Sequence, residues 1–124
     1  MTTFAKTTQA LLGEIVKKCT VCQRCARDCL VLATYAPRPK DFFDAILHGE
    51  KVDPIAVFSC SQCRHCTLIC PLALAIPEAF LVMRRELVEK NNGQPPLRQL
   101  GSVKVHQYLS CHPLFTVVQK GVKK

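Results

Sequence analysis

No tryptophan occurs in this chain, and two tyrosines with six phenylalanines are its only aromatic residues across 124 positions. One small domain of that length has a high surface-to-volume ratio, so aromatic packing alone does not hold it together and outside support is expected. Long apolar runs are missing too. The best candidate, Leu72 to Ile76, is boxed between Pro71 and Pro77 and falls far short of the roughly 20 residues that cross a bilayer, so no direct membrane insertion is expected. The opening residues MTTFAKTTQALLGEIVKK carry neither the basic n-region nor the apolar h-region of a secretory leader, and a reducing, cytoplasmic setting is expected. No general acid, base and nucleophile form a recognisable constellation, so catalysis by the chain itself is not expected.

Cysteine is what the chain has in excess, nine residues in 124, several-fold above ordinary usage. They fall in two clumps, Cys19-Thr-Val-Cys22-Gln-Arg-Cys25-Ala-Arg-Asp-Cys29 and Cys60-Ser-Gln-Cys63-Arg-His-Cys66-Thr-Leu-Ile-Cys70-Pro71. Both read C-x2-C-x2-C-x3-C. A loop with three cysteines at intervals of three wraps its thiolates around three irons of one cubane, and the fourth iron takes a ligand from elsewhere in the chain. Structural zinc favours paired C-x2-C knuckles a dozen or more residues apart. An odd cysteine count in a reducing compartment disfavours a disulfide framework. Two 4Fe–4S clusters are therefore expected; a 3Fe–4S centre is not excluded, although neither run lacks a ligand.

Lys and Arg outnumber Asp and Glu by 17 to 9, for a formal charge of +8. Eight thiolates and two oxidised cluster cores would bring the loaded protein to roughly +4. Lys17, Lys18, Arg24, Arg27, Arg64 and His65 lie inside or beside the cysteine runs, so part of the basic excess balances the clusters. Docking of an acidic partner surface or flavoprotein explains Arg24, Arg27 and Arg64 equally well. Nucleic acid binding is not expected, since aromatics are few and no reader motif is present.

The remaining pattern is helical. Thr7 to Lys18 places Leu11, Leu12, Ile15 and Val16 at helical spacing, with two lysines at the C-terminal end where the helix dipole favours cations. Cys25 to Ala33 is helix-compatible, and Pro37 with Pro39 breaks the chain after it. Lys40 to His48 predicts an amphipathic helix capped by Gly49, and Pro54 to Phe58 a short apolar approach to the second run. Ile76 onward reads as the clearest helix, with Pro77 in its first turn, Phe80, Leu81, Met83, Leu87 and Val88 on one face, and Asn91, Asn92 and Gly93 ending it. The cluster-binding domain is thus expected over residues 1–93. Residues 94–124 form an extension of no persuasive period, whose Val103, Val105, Leu109, Leu114, Phe115, Val117 and Val118 suit docking on the core or on a partner.

These residues resemble the C subunit of heterodisulfide reductase and its relatives, which share an all-α, α-helical ferredoxin fold. They are similar also to the cluster-binding part of the C subunit of anaerobic glycerol-3-phosphate dehydrogenase and to the C-terminal half of the iron–sulfur subunit of fumarate reductase. The resemblance rests on two cysteine runs separated by a helical stretch around Phe42 to Leu47, and on Ala75-Ile76-Pro77-Glu78-Ala79 entering the last helix. It covers about residues 8 to 93. Leu30 departs from it, standing where the first run often has proline, and no CCG domain is present. By analogy with two-cluster ferredoxins, Cys19, Cys22, Cys25 and Cys70 would hold cluster one, and Cys60, Cys63, Cys66 and Cys29 cluster two. That exchange closes long loops, so cluster loss is expected to unfold the domain.

The resemblance implies an electron-transfer subunit of a larger oxidoreductase, partnered by a flavoprotein or by a CCG-domain, hydrogenase or formate dehydrogenase subunit. A free-standing dicluster ferredoxin is the alternative, and a redox-sensing or zinc-binding regulator a third reading. His65 is placed either to donate to a cluster sulfur or to lie idle at the surface. Cys111 beside His112 reads as a buried small hydrophobe among Leu109, Leu114 and Phe115 in preference to a reactive thiolate.

Overall fold

Helix α1 (Lys6–Lys18) turns Leu12 and Ile15 inward and lies against α4 (Pro39–Leu47) and the long α7 (Ile76–Lys90). In this computed structural model, which describes residues 4–114, the three helices bury Leu12, Ile15, Phe43, Ile76, Phe80 and Met83 almost completely. Phe43 sits edge-on to Phe42 at 5.3 Å between ring centres, and Phe80 of α7 joins them at 5.7 and 5.9 Å. Half of the chain's phenylalanines thus form one cluster, the arrangement in which aromatic rings add to simple burial. A polar clasp closes the far end, where the Glu86 carboxylate accepts from the Ala5 N–H at 2.8 Å and from the Thr8 hydroxyl. Thr8, otherwise a buried polar residue, is satisfied by that bond.

Four short helices carry the cysteines on this platform: α2 (Arg24–Arg27), α3 (Leu30–Tyr35), α5 (Pro54–Ser59) and α6 (His65–Ile69). The helix-compatible stretch from Cys25 to Ala33 falls in two helices, separated at Cys29, whose extended backbone (φ −124°, ψ 110°) serves as the N-cap of α3. The break expected at Pro37 and Pro39 separates α3 from α4, which Pro39 opens; its missing N–H costs nothing there, and it is buried. The apolar approach from Pro54 is helix α5, capped by Asp53, whose side chain accepts from the Ile55 N–H at 2.9 Å. Helix α2 packs on α6, α3 on α5, and α5 and α6 on α7. Gly49 and Gly93 take the positive φ values of 92° and 76° that end α4 and α7.

Beyond a turn of 3-10 helix (Arg98–Leu100), α8 (Gly101–Cys111) extends with no buried residue and packs chiefly on that turn. The architecture is all-α, with no strand among the described residues. Phe115, Val117 and Val118 lie outside the described residues. Among those residues no helix is long and apolar enough to cross a membrane.

Candidate metal centre

The internal repeat extends from spacing into backbone conformation. Cys19 and Cys60 each follow a helix and take nearly the same extended geometry, φ −67°, ψ 120° and φ −65°, ψ 123°. The residues flanking the second cysteine of each run are left-handed: Val21 and Gln23 at φ 58°, Gln62 and Arg64 at φ 61°. Four of the six positive-φ residues other than glycine among those described therefore lie in these two loops. A β-branched valine there is strained by more than about 1 kcal/mol, and such strain persists only where the surroundings impose it.

Two cavities are each lined by cysteines from both runs. Cys19, Cys22, Cys25 and Cys70 line one cavity, and Cys29, Cys60, Cys63 and Cys66 line the other. The crossing follows from α2 lying on α6, which sets the end of each run against the start of the other. The second cavity holds about 450 Å³ and opens past Leu30, whereas the first is narrowed to about 20 Å³ by Pro39, Leu72, Leu74 and Ile76. Cys22 and Leu72, both exposed, stand in its lining beside the buried Pro39, Leu74 and Ile76. Among the described residues no three Cys, His, Asp or Glu side chains converge tightly enough for a single ion. The thiols line the two cavities instead.

Cys25 and Cys66, the third cysteine of each run, are the buried pair; Cys22 and Cys63 are exposed, and the other four are intermediate. Burial pushes the Cys66 thiol up to about 12, helped by repulsion from Cys60, Cys25 and Cys29. The same burial raises Cys25, with repulsion from Cys19, Cys22 and, more weakly, Cys70. At Cys63 the direction reverses, since the His65 main-chain N–H and the Ser61 hydroxyl both donate toward its sulfur. Thiolates at the buried positions would therefore need a cation in place of the proton, as a bound metal centre would supply. The donor set fits an iron–sulfur centre.

Sequence reasoning missed two neighbours of this site. Arg84 of α7 reaches the last turn of α5, donating from Nε to the Val57 carbonyl at 2.8 Å and from Nη2 to the Cys60 carbonyl. Its guanidinium also lies 5.7 Å from the centre of the Phe58 ring. Gln62 donates from Nε2 to the Cys60 sulfur at 3.7 Å. No local signal announced Arg84, a helical arginine remote in sequence from the loop it holds; Gln62 was readable as the polar counterpart of Val21 in the repeat.

His65 turns its ring toward Asp28 of the other run, Nε2 to Oδ2 3.9 Å, and Arg64 pairs with Glu78 at 3.0 Å. Cys111 corrects the expectation of a buried residue: it is exposed at the end of α8, with Leu109 and Leu114 exposed beside it, while Phe115 lies outside the described residues. Burial needs packing on two sides, and among the described residues α8 rests on little besides the turn before it.

No match to the chain was found among curated proteins or among solved structures. Residues 18–75, which begin one position before Cys19 and end one position before α7, match the family model described as a 4Fe-4S dicluster domain. Taken with the cysteine-lined cavities, that match likens the segment to 4Fe-4S dicluster domains.

Proposed function

We propose that the chain relays single electrons through two 4Fe–4S clusters as a subunit of a larger oxidoreductase of the heterodisulfide reductase C-like kind. Cys19, Cys22, Cys25 and Cys70 would ligate one cluster and Cys60, Cys63, Cys66 and Cys29 the other. The observation that carries this reading is the lining of two separate cavities by those two sets of thiols. When bound, each cluster supplies a one-electron carrier, and the chain's residues provide the ligands, the low-dielectric surroundings and the hydrogen bonds that set its potential.

The partner surface is read from apolar side chains left in water. Leu30, 83% exposed, lines the wider cavity, and Leu68 on α6 is 81% exposed. Val103, Val105, Tyr108 and Leu109 of α8 are exposed as well. No acidic residue follows Glu89, whereas Lys90, Arg98 and Lys104 do. A redox subunit with an acidic rim, a flavoprotein foremost, suits this surface, and α8 as a permanent docking element favours a subunit over a free shuttle. The cytoplasm is the compartment in which such clusters and free thiols persist.

Anaerobic reconstitution tests the reading. About eight irons and eight sulfides per chain are expected, and Cys29→Ser should deplete the same cluster as Cys60→Ser while sparing the one lost in Cys19→Ser. Zinc without acid-labile sulfide, or pairing of Cys29 with the Cys19 set, would overturn it.

A further inference from the structure

The two cysteine loops share a backbone but not their surroundings. Positions 41 apart correspond, so Cys60 matches Cys19 in extended geometry and Gln62 matches Val21 in left-handed geometry. At the second loop a part-buried amide, Gln62 Nε2, donates to the Cys60 sulfur at 3.7 Å. At the first loop the equivalent side chain is an isopropyl group and has no proton to donate. Arg84 adds to the imbalance. Its guanidinium is bonded to the Val57 and Cys60 carbonyls and is partly buried, while among the described residues no side chain donates to the Cys19 carbonyl.

We propose that Gln62 and Arg84 split the two clusters in potential, making the centre held by Cys60, Cys63, Cys66 and Cys29 the first to accept an electron. The inference rests on the ligand sets proposed above. Accepting an electron makes a thiolate-bound cluster more negative without making or breaking a bond at the protein. A donor to a ligand sulfur and a cation held nearby in low dielectric therefore favour the reduced form. Gln62 supplies the first and Arg84 the second, both on one side only.

Other charges near the two mouths do not reverse this. Lys17, Lys18, Arg24 and Arg27 beside the first run and Asp28, Arg64 and His65 at the second cavity are all exposed, where water and salt screen them. Arg64 is further offset by its pairing with Glu78. Arg84 is a positioning residue as well, since it fixes the backbone that presents Cys60.

The test is an anaerobic redox titration of the full-length reconstituted chain, with dithionite as the one-electron reductant and electron paramagnetic resonance as the readout. Two waves are expected, and Cys19→Ser should remove the lower one. Gln62→Val should lower the upper wave alone, changing the reduction equilibrium by about threefold to tenfold, which is ~30–60 mV for one electron. Val21→Gln should raise the lower wave and narrow the gap. Arg84→Gln should lower the upper wave, and Arg84→Lys should restore part of the loss.

Loss of the upper wave in Cys19→Ser overturns the assignment. So do unmoved waves in both Gln62→Val and Val21→Gln at wild-type iron content. If Arg84→Gln only lowers iron content and melting temperature, with the remaining clusters at wild-type potential, Arg84 is structural and that half of the inference fails. Failure of the underlying functional reading looks different: the protein would then hold no sulfide and give no waves to compare.

Discussion

Leu30 and Leu68 are exposed to almost the same extent, 83% and 81%, yet proline should affect them in opposite ways. Leu30 is the first residue of α3, where the N–H has no intrahelical acceptor, and Cys29 before it is already in the extended region that precedes proline comfortably. Leu30→Pro should therefore leave stability unchanged or raise it by up to about 1 kcal/mol through the unfolded chain, with iron content intact. Leu68 lies inside α6, and its N–H donates to the Arg64 carbonyl at 3.1 Å. Leu68→Pro removes that bond and should cost about 3 kcal/mol, pulling Cys66 and Cys70 out of register. Thermal melts and iron assays on the two variants check both outcomes. The departure from proline at Leu30, noted in the sequence, is thus a helix start that either residue satisfies.

Among the elements, α5 shows how a short helix is made to hold a ligand. Six residues are too few to form a helix unaided, so three supports act together: Asp53 caps its N-terminus, Pro54 opens its first turn, and Arg84 grips its last carbonyls. Asp53→Ala should cost about 0.5–2 kcal/mol, read as a lower melting temperature of the loaded protein. The cost should be larger in an Arg84→Gln background if the two ends are coupled through the helix. Local periodicity made α1, α4 and α7 legible in the sequence, because each buries one face against the others. Cysteine spacing likewise made the eight thiols legible. The break at Cys29 was not, since residues 25–33 are individually helix-compatible and only packing of α2 on α6 decides where they bend. Helix α8 was unreadable for another reason: Val103 and Val105 are spaced like a strand, and no buried face imposes a helical stripe. Arg84 was hidden because its function is a contact between helices distant in the chain.

At the scale of the whole molecule two kinds of cohesion divide the work. Helices α1, α4 and α7 bury Leu12, Ile15, Phe43, Phe80 and Met83 against one another, in a core whose margin Cys25 and Cys66 complete. The short helices α2, α3, α5 and α6 span four to six residues each, far below the roughly 12–15 at which isolated helices become even marginal. Clusters bridging residues 19–29 to 60–70 would close long loops around those short helices and supply what their own burial does not. Removing the metal with a strong chelator and dithionite should therefore unfold the molecule in two stages. Amides of α2, α3, α5 and α6 should lose hydrogen-exchange protection first, with Leu68 N–H and Ala33 N–H, now bonded to Arg64 and Cys29 carbonyls, exchanging near solvent rates. Protection in α7 should outlast theirs, because Phe80 and Met83 keep their partners. Unchanged protection across α2 and α6 after complete loss of iron would mean that the cysteine loops stand without their cofactor, and the division of cohesion argued from burial would be wrong.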